Sequence, residues 1–171
     1  DDTTGEIAIC SSAAIVLPNV KSDDEYAEAC YYALKMIDVC LHLSDFPFKH
    51  LKYTALNRMS AGVGLIGLAH HLANKGLHYY TQSGRNEIHE IFETHYWHLV
   101  NASLRLGKEL GNAGWINKTK WPDGWLPIDT YNKFVDDLVT VENKRDWESL
   151  RKDIIANGGI SNSVLCAMMP C

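Results

Sequence analysis

Met59-Ser-Ala-Gly-Val-Gly-Leu-Ile-Gly67 is small, apolar and punctuated by glycine, and the spacing changes as it ends: Leu65 to Lys75 turns helical, and Gly76 stands where a left-handed cap closes a helix. A strand buried on both faces and running straight into a helix is the repeating unit of a parallel sheet. Upstream, Glu6 to Pro18 (EIAICSSAAIVLP) reads as a second buried strand, broken near Ser11-Ser12, with Cys10 on it or at its end. Downstream, the apolar run Ser163 to Met169 is a third. Strands separated by helices imply parallel crossovers, so the expected class is α/β, helix-rich, with about three strands.

The intervening segments read as helices. Ser22-Asp-Asp-Glu25 has the form of a capping box, and the stripe Ala27, Cys30, Leu34, Ile37, Leu41 follows it until Pro47 closes the segment. A second long helix is expected from about Asn86 to Leu110, stopping at Gly111. Asn112 to Asp129, with Trp115, Trp121, Trp125, Pro122 and Pro127, is mostly loop, and a short helix is expected over Thr130 to Leu138. Asp146 caps a last helix through Ala156, ended by Gly158-Gly159. Three strands neither close a barrel nor complete a sheet. The start at Asp1 without Met and the apolar run ending at Cys171 lead to the same expectation: one unit over residues 1–171, truncated at both ends.

Composition narrows the functional classes. A chain of 171 residues with 46% apolar and 22% charged residues is ordinary for a folded domain, which excludes disorder and collagen-like repeats. The longest nearly uncharged stretch, Ser60 to Ala73, is broken by His70-His71 and falls short of the roughly 20 apolar residues a membrane helix needs. A net charge of −5 without a basic stripe argues against nucleic-acid binding. Five cysteines without a C-x-x-C pair or secretory leader point to a reducing compartment, the cytoplasm by default, so Asn101-Ala-Ser103 and Asn117-Lys-Thr119 are chance glycosylation matches.

Three constellations carry possible chemistry. Gly62-Val-Gly-Leu-Ile-Gly67 has the dinucleotide-binding spacing, but its first glycines lie within a strand rather than a turn. The acidic residue about 20 positions on, Glu87, belongs to a helix. A nucleotide-cofactor domain is therefore the weaker interpretation; close approach of a neighbouring strand or ligand is the stronger. His89, Glu90, Glu93, His95 and His98 crowd one helix without Glu-x-x-His or His-Glu-x-x-His spacing, and are expected to form a solvated polar face with no metal site. Cys30 and Cys40 are expected to be packed and inert. Cys10 differs, because a thiol at the C-terminal end of an α/β strand points where such folds place chemistry.

Taken in order, Gly5-Glu-Ile-Ala-Ile-Cys10, Leu43-Ser-Asp-Phe-Pro47, Arg58-Met-Ser-Ala-Gly-Val-Gly64, Leu126-Pro-Ile-Asp-Thr-Tyr131, Asp146-Trp-Glu148 and Asn162-Ser-Val-Leu-Cys-Ala-Met-Met-Pro170 resemble the middle of the catalytic barrel in the large (α) subunit of class I ribonucleoside-diphosphate reductases. The resemblance implies part of a ten-stranded α/β barrel built of two five-stranded halves. It also implies a radical generated in a metal-containing small (β) subunit and passed to a finger-loop thiol outside this sequence, with no cofactor bound by the segment itself. That thiol removes the 3′-hydrogen of a nucleoside diphosphate, the 2′-hydroxyl leaves, and a cysteine pair supplies two electrons by closing into a disulfide that thioredoxin or glutaredoxin reopens.

Cys10 matches one cysteine of that pair; the strand carrying the other lies outside this sequence. Cys166 is a possible neighbour to which the resemblance gives no such role. Pro170 and Cys171 match the edge of the loop that holds the substrate phosphates, and an α-subunit homodimer is implied. Cys171 departs from the family's Ser or Thr: either a thiol serves there as a weak donor, or it marks the first residue of an inserted self-splicing element. By this comparison the segment alone is inactive. The alternative from another class is a non-catalytic helical assembly module that keeps the packing and none of the chemistry.

Overall fold

The computed structural model describes residues 5–9, 11–130 and 138–168. Three parallel strands, β1 (Ser12–Val16), β2 (Ala61–Ile66) and β3 (Leu165–Cys166), form one sheet in the order β1-β2-β3. Ser12 pairs with Gly62 and Gly62 with Cys166, so the pleat sorts the side chains into two sets. Ile15, Ala61, Val63 and Leu165 face the core and are buried. Ser12, Val16, Ile66 and Cys166 lie on the other face and are exposed, with Gly62 and Gly64 between them.

The core face is covered by two long helices that also pack on each other, α1 (Asp23–Leu43) and α4 (Gln82–Leu110). The Ser22 hydroxyl accepts from the Glu25 amide, as expected. The Glu25 carboxylate reaches one residue further back than a standard box, to the Lys21 amide at 2.7 Å. Tyr26, Cys30, Leu34, Ile37 and Leu41 form the buried stripe. Cys40 is exposed, contrary to expectation: ten residues at about 100° each leave it roughly 80° from the direction of Cys30. The helix α4 starts at Gln82, earlier than the apolar stripe indicated, because the Thr81 hydroxyl caps it by accepting from the Gly84 amide.

The helix α3 (Leu68–Asn74) follows β2 directly, with Gly67 in a left-handed conformation at their junction. The last helix, α5 (Trp147–Asn157), is capped by Asp146 and ended by Gly158 at φ 69°, as its sequence predicts.

Three further differences from the sequence reading have physical causes. Residues 5–9 are not a strand, because the Ile7 amide donates to Thr54 Oγ1 and Glu6 pairs with Arg58, which ties the segment to a helix instead of the sheet. That helix, α2 (Lys49–Arg58), has no counterpart in the pattern analysis: it buries only Thr54 and Ala55, so no apolar stripe marks it. Within the described residues the third strand is confined to Leu165–Cys166. Met169, and residues 131–137 of the expected short helix, lie outside the described residues.

Candidate functional site

On the sheet face opposite the two long helices, Gly62 and Gly64 of the central strand are buried between exposed neighbours. A Cβ on Gly62 would lie 3.4 Å from the Met168 carbonyl and 4.0 Å from that of Ser11, ordinary contact distances, so packing of the neighbouring strands does not by itself require glycine there. On either side of Gly62 in the ladder stand Ser12 and the exposed thiol of Cys166. Parallel sheets are ordinarily covered on both faces, and here one face is left open by the described residues.

The candidate residues Cys10, Pro170 and Cys171 lie outside the described residues. Their neighbours in sequence are placed: β1 begins two residues after Cys10, and β3 ends four residues before Pro170.

Both flanking segments are anchored on the end of α2. The last carbonyls of a helix lack partners within it, and here each takes a donor from far along the chain. The Asn57 carbonyl accepts from the Trp115 amide at 3.0 Å, and that of Arg58 from the Ser163 amide at 2.9 Å and hydroxyl at 2.6 Å. The Met59 carbonyl accepts from Asn162 Nδ2 at 2.6 Å, while the Asn162 Oδ1 accepts from the buried Ser103 hydroxyl. The Arg58 side chain turns the other way and grips Glu6 with two parallel bonds, Nε to Oε2 at 2.9 Å and Nη2 to Oε1 at 3.0 Å. Lys118 stands 3.6 Å from the same carboxylate and 3.7 Å from the centre of the Trp115 ring. Arg58, Asn162 and Ser163 fall inside the motifs quoted above. Only their long-range partners, invisible in a linear pattern, give them a role.

The histidine-rich helix departs from its expected solvated face. His95 is fully buried, and His98 and Glu93 nearly so. His95 Nε2 donates to the Val63 carbonyl at 2.7 Å, and the Tyr96 hydroxyl to that of Leu165 at the same distance, so α4 is bonded to two strands. The Glu93 carboxylate accepts from the amides of Lys144 and Arg145 and from the Trp147 indole, which fixes the turn leading into α5. His98 contacts Asp23, which Arg145 also grips; the Arg145 hydrogen bond holds the Asp23 carboxyl down at about 2. Among the described residues, no group of three His, Cys, Asp or Glu could hold a metal ion.

Among the described residues, Ile88, Phe92, Ile128 and Trp147 help line a cavity of about 370 Å³. No helix among the described residues is long and apolar enough to cross a membrane.

Comparison with known proteins agrees with the motif order. The family description "Ribonucleotide reductase, barrel domain" matches residues 1–171. The chain is 39% identical over 170 residues to the ribonucleoside-diphosphate reductase subunit alpha of Haemophilus influenzae, covering 99% of this chain and 22% of that protein. The subunit alpha of Enterobacteria phage T4 is 34% identical over 168 residues, again 22% of its length, and 97% of this chain. The ribonucleoside-diphosphate reductase 1 subunit alpha of Escherichia coli is 39% identical over 130 residues, 76% of this chain and 17% of its own length. The chain thus spans less than a quarter of the relatives it matches. One family describes every residue, and bacterial and phage relatives bear the same name: the chain belongs to the ribonucleotide reductase family, within its barrel domain.

Proposed function

We propose that this chain forms part of the ten-stranded catalytic barrel of a reductase α subunit that converts ribonucleoside diphosphates to deoxyribonucleoside diphosphates in the cytoplasm, together with a small subunit that supplies the radical. Cys10 is one of two thiols that give up their hydrogens as they close into a disulfide, while the substrate loses its 2′-hydroxyl as water; substrate and two thiols become deoxynucleotide, disulfide and water. Thioredoxin or glutaredoxin then returns the disulfide to thiols. Pro170 and Cys171 form the edge of the diphosphate loop. An α homodimer completes the assembly.

The observation that carries this proposal is the register of the parallel sheet on the face opposite the two long helices. Ser12, two residues after Cys10, is level there with Gly62 and Cys166, in a chain whose full length matches the family. The test is Cys10→Ser in the full-length α subunit assayed with its small subunit. Multiple turnover with thioredoxin is expected to vanish; turnover at the wild-type rate would overturn the redox assignment and favour a non-catalytic packing module.

A further inference from the structure

Arg58 holds with its backbone the segment that leads to Pro170 and with its side chain the segment that leads to Cys10. Its carbonyl takes both donors of Ser163, two residues before β3 and seven before Pro170. Its guanidinium takes both oxygens of Glu6, four residues before Cys10. Arg58 is itself held: Met59, next in the chain, has the left-handed φ of 47° that turns the chain from α2 into β2, and the guanidinium lies 5.1 Å from the centre of the Trp115 ring. Thr54, one helical turn earlier, binds the Ile7 amide, so the segment before Cys10 is fixed at two successive residues.

From this geometry we infer that Arg58, through its forked pair with Glu6, is a positioning residue that sets the placement of the redox thiol relative to the phosphate edge. The inference rests on the roles proposed for Cys10 and Pro170. The pair is a poor source of stability, because both side chains are partly exposed, at 23% and 37%, and water screens them. Its worth lies in direction: two parallel bonds fix the carboxylate in plane and angle, which a single contact or a lysine does not. Reaction rates depend steeply on such placement, since a displacement of about 1 Å costs up to about a hundredfold.

The experiment uses the full-length α subunit with its small subunit and compares Arg58→Gln, Glu6→Gln, the double variant and Arg58→Lys. Each single glutamine variant is expected to lower kcat about tenfold while KM for the nucleoside diphosphate stays within about twofold, with melting temperature nearly unchanged. The double variant should be no slower than the slower single, because Glu6→Gln, which also releases Lys118, already removes the whole forked pair, and Arg58→Lys should recover only part of the rate. Wild-type turnover in either single variant, losses that multiply in the double, or a fall in kcat matched by loss of folded protein would each overturn the positioning role. The redox assignment fails separately: normal turnover by Cys10→Ser removes it whatever Arg58→Gln does.

Discussion

The rings of Tyr26 and His95 stack with their centroids 5.7 Å apart and an interplanar angle of 20°, clamping α1 to α4 beneath the sheet. Neither the Tyr26 hydroxyl nor His95 Nδ1 has a hydrogen-bond partner among the described residues. A buried imidazole with one nitrogen donating to Val63 and the other facing no donor or acceptor is stable only when neutral. Burial holds its pKa down to about 4, more strongly than the Val63 carbonyl raises it.

This gives a pH dependence of defined sign. The unfolded chain protonates His95 below about 6.5, whereas the folded chain resists until about 4, so stability is lost as pH falls through that interval, by up to about 3 kcal/mol. Urea midpoints at pH 7 and pH 4.5 measure it. His95→Phe should flatten the difference; an equally steep difference in the variant would assign the effect to other groups.

Asp23 acts in a lower window. Its folded pKa of about 2 lies below the usual 3.8, so its contribution is complete above 3.8 and is lost as pH falls toward 2. The carboxylate is 55% exposed, and screening leaves on the order of 1 kcal/mol. Asp23→Asn should be less stable by that amount at neutral pH and equal to the parent near pH 2. A gap that persists in strong acid would point to packing instead of charge.

The three described thiols should separate chemically. Cys30 is buried and its pKa is pushed up to about 12 by loss of solvent, whereas Cys40 and Cys166 are exposed. Peptide mapping after brief iodoacetamide treatment at pH 8 should find label on Cys40 and Cys166 and none on Cys30. Early labelling of Cys30 would show that α1 does not stay docked.

Gly67 is the residue at the β2–α3 junction least open to change. At φ +88° a side chain is already strained, and a Cβ would come within 2.8 Å of Pro18 Cδ. Gly67→Ala should cost about 1–3 kcal/mol in chemical denaturation. A neutral result would mean that Pro18 and its turn move aside freely.

Elements with strong internal signals were legible in the sequence. The Ser22 and Asp146 caps, the buried stripe of α1 and the strand-to-helix switch after Ile66 each rest on local chemistry that a pattern displays. What escaped depends on partners distant in sequence. The helix α2 has no apolar stripe and is held through its ends and through Thr54. Glu6 to Ile9 has a strand's composition, yet its polar groups are claimed by α2. His95 and His98 are polar letters on a long helix; their burial follows from the strand carbonyl above one and the acidic start of α1 beside the other. The candidate site was legible only as an ordered set of motifs, and the corner joining its two halves emerged when Arg58, Asn162 and Ser163 found their partners.

That corner also bears on how the molecule assembles. The contacts made by Asn162 with Met59 and by Ser163 with Arg58 span 103 and 105 residues, so they form only after a very large loop of chain has closed. The α1–α4 contact of Asp23 with His98 closes a loop of 75 residues and the contact of Asp23 with Arg145 one of 122, and contacts of such long sequence separation are the slow ones in folding. The end of α2 is thus one of several distant closures on which the finished molecule depends, and weakening it should hasten unfolding more than it slows refolding.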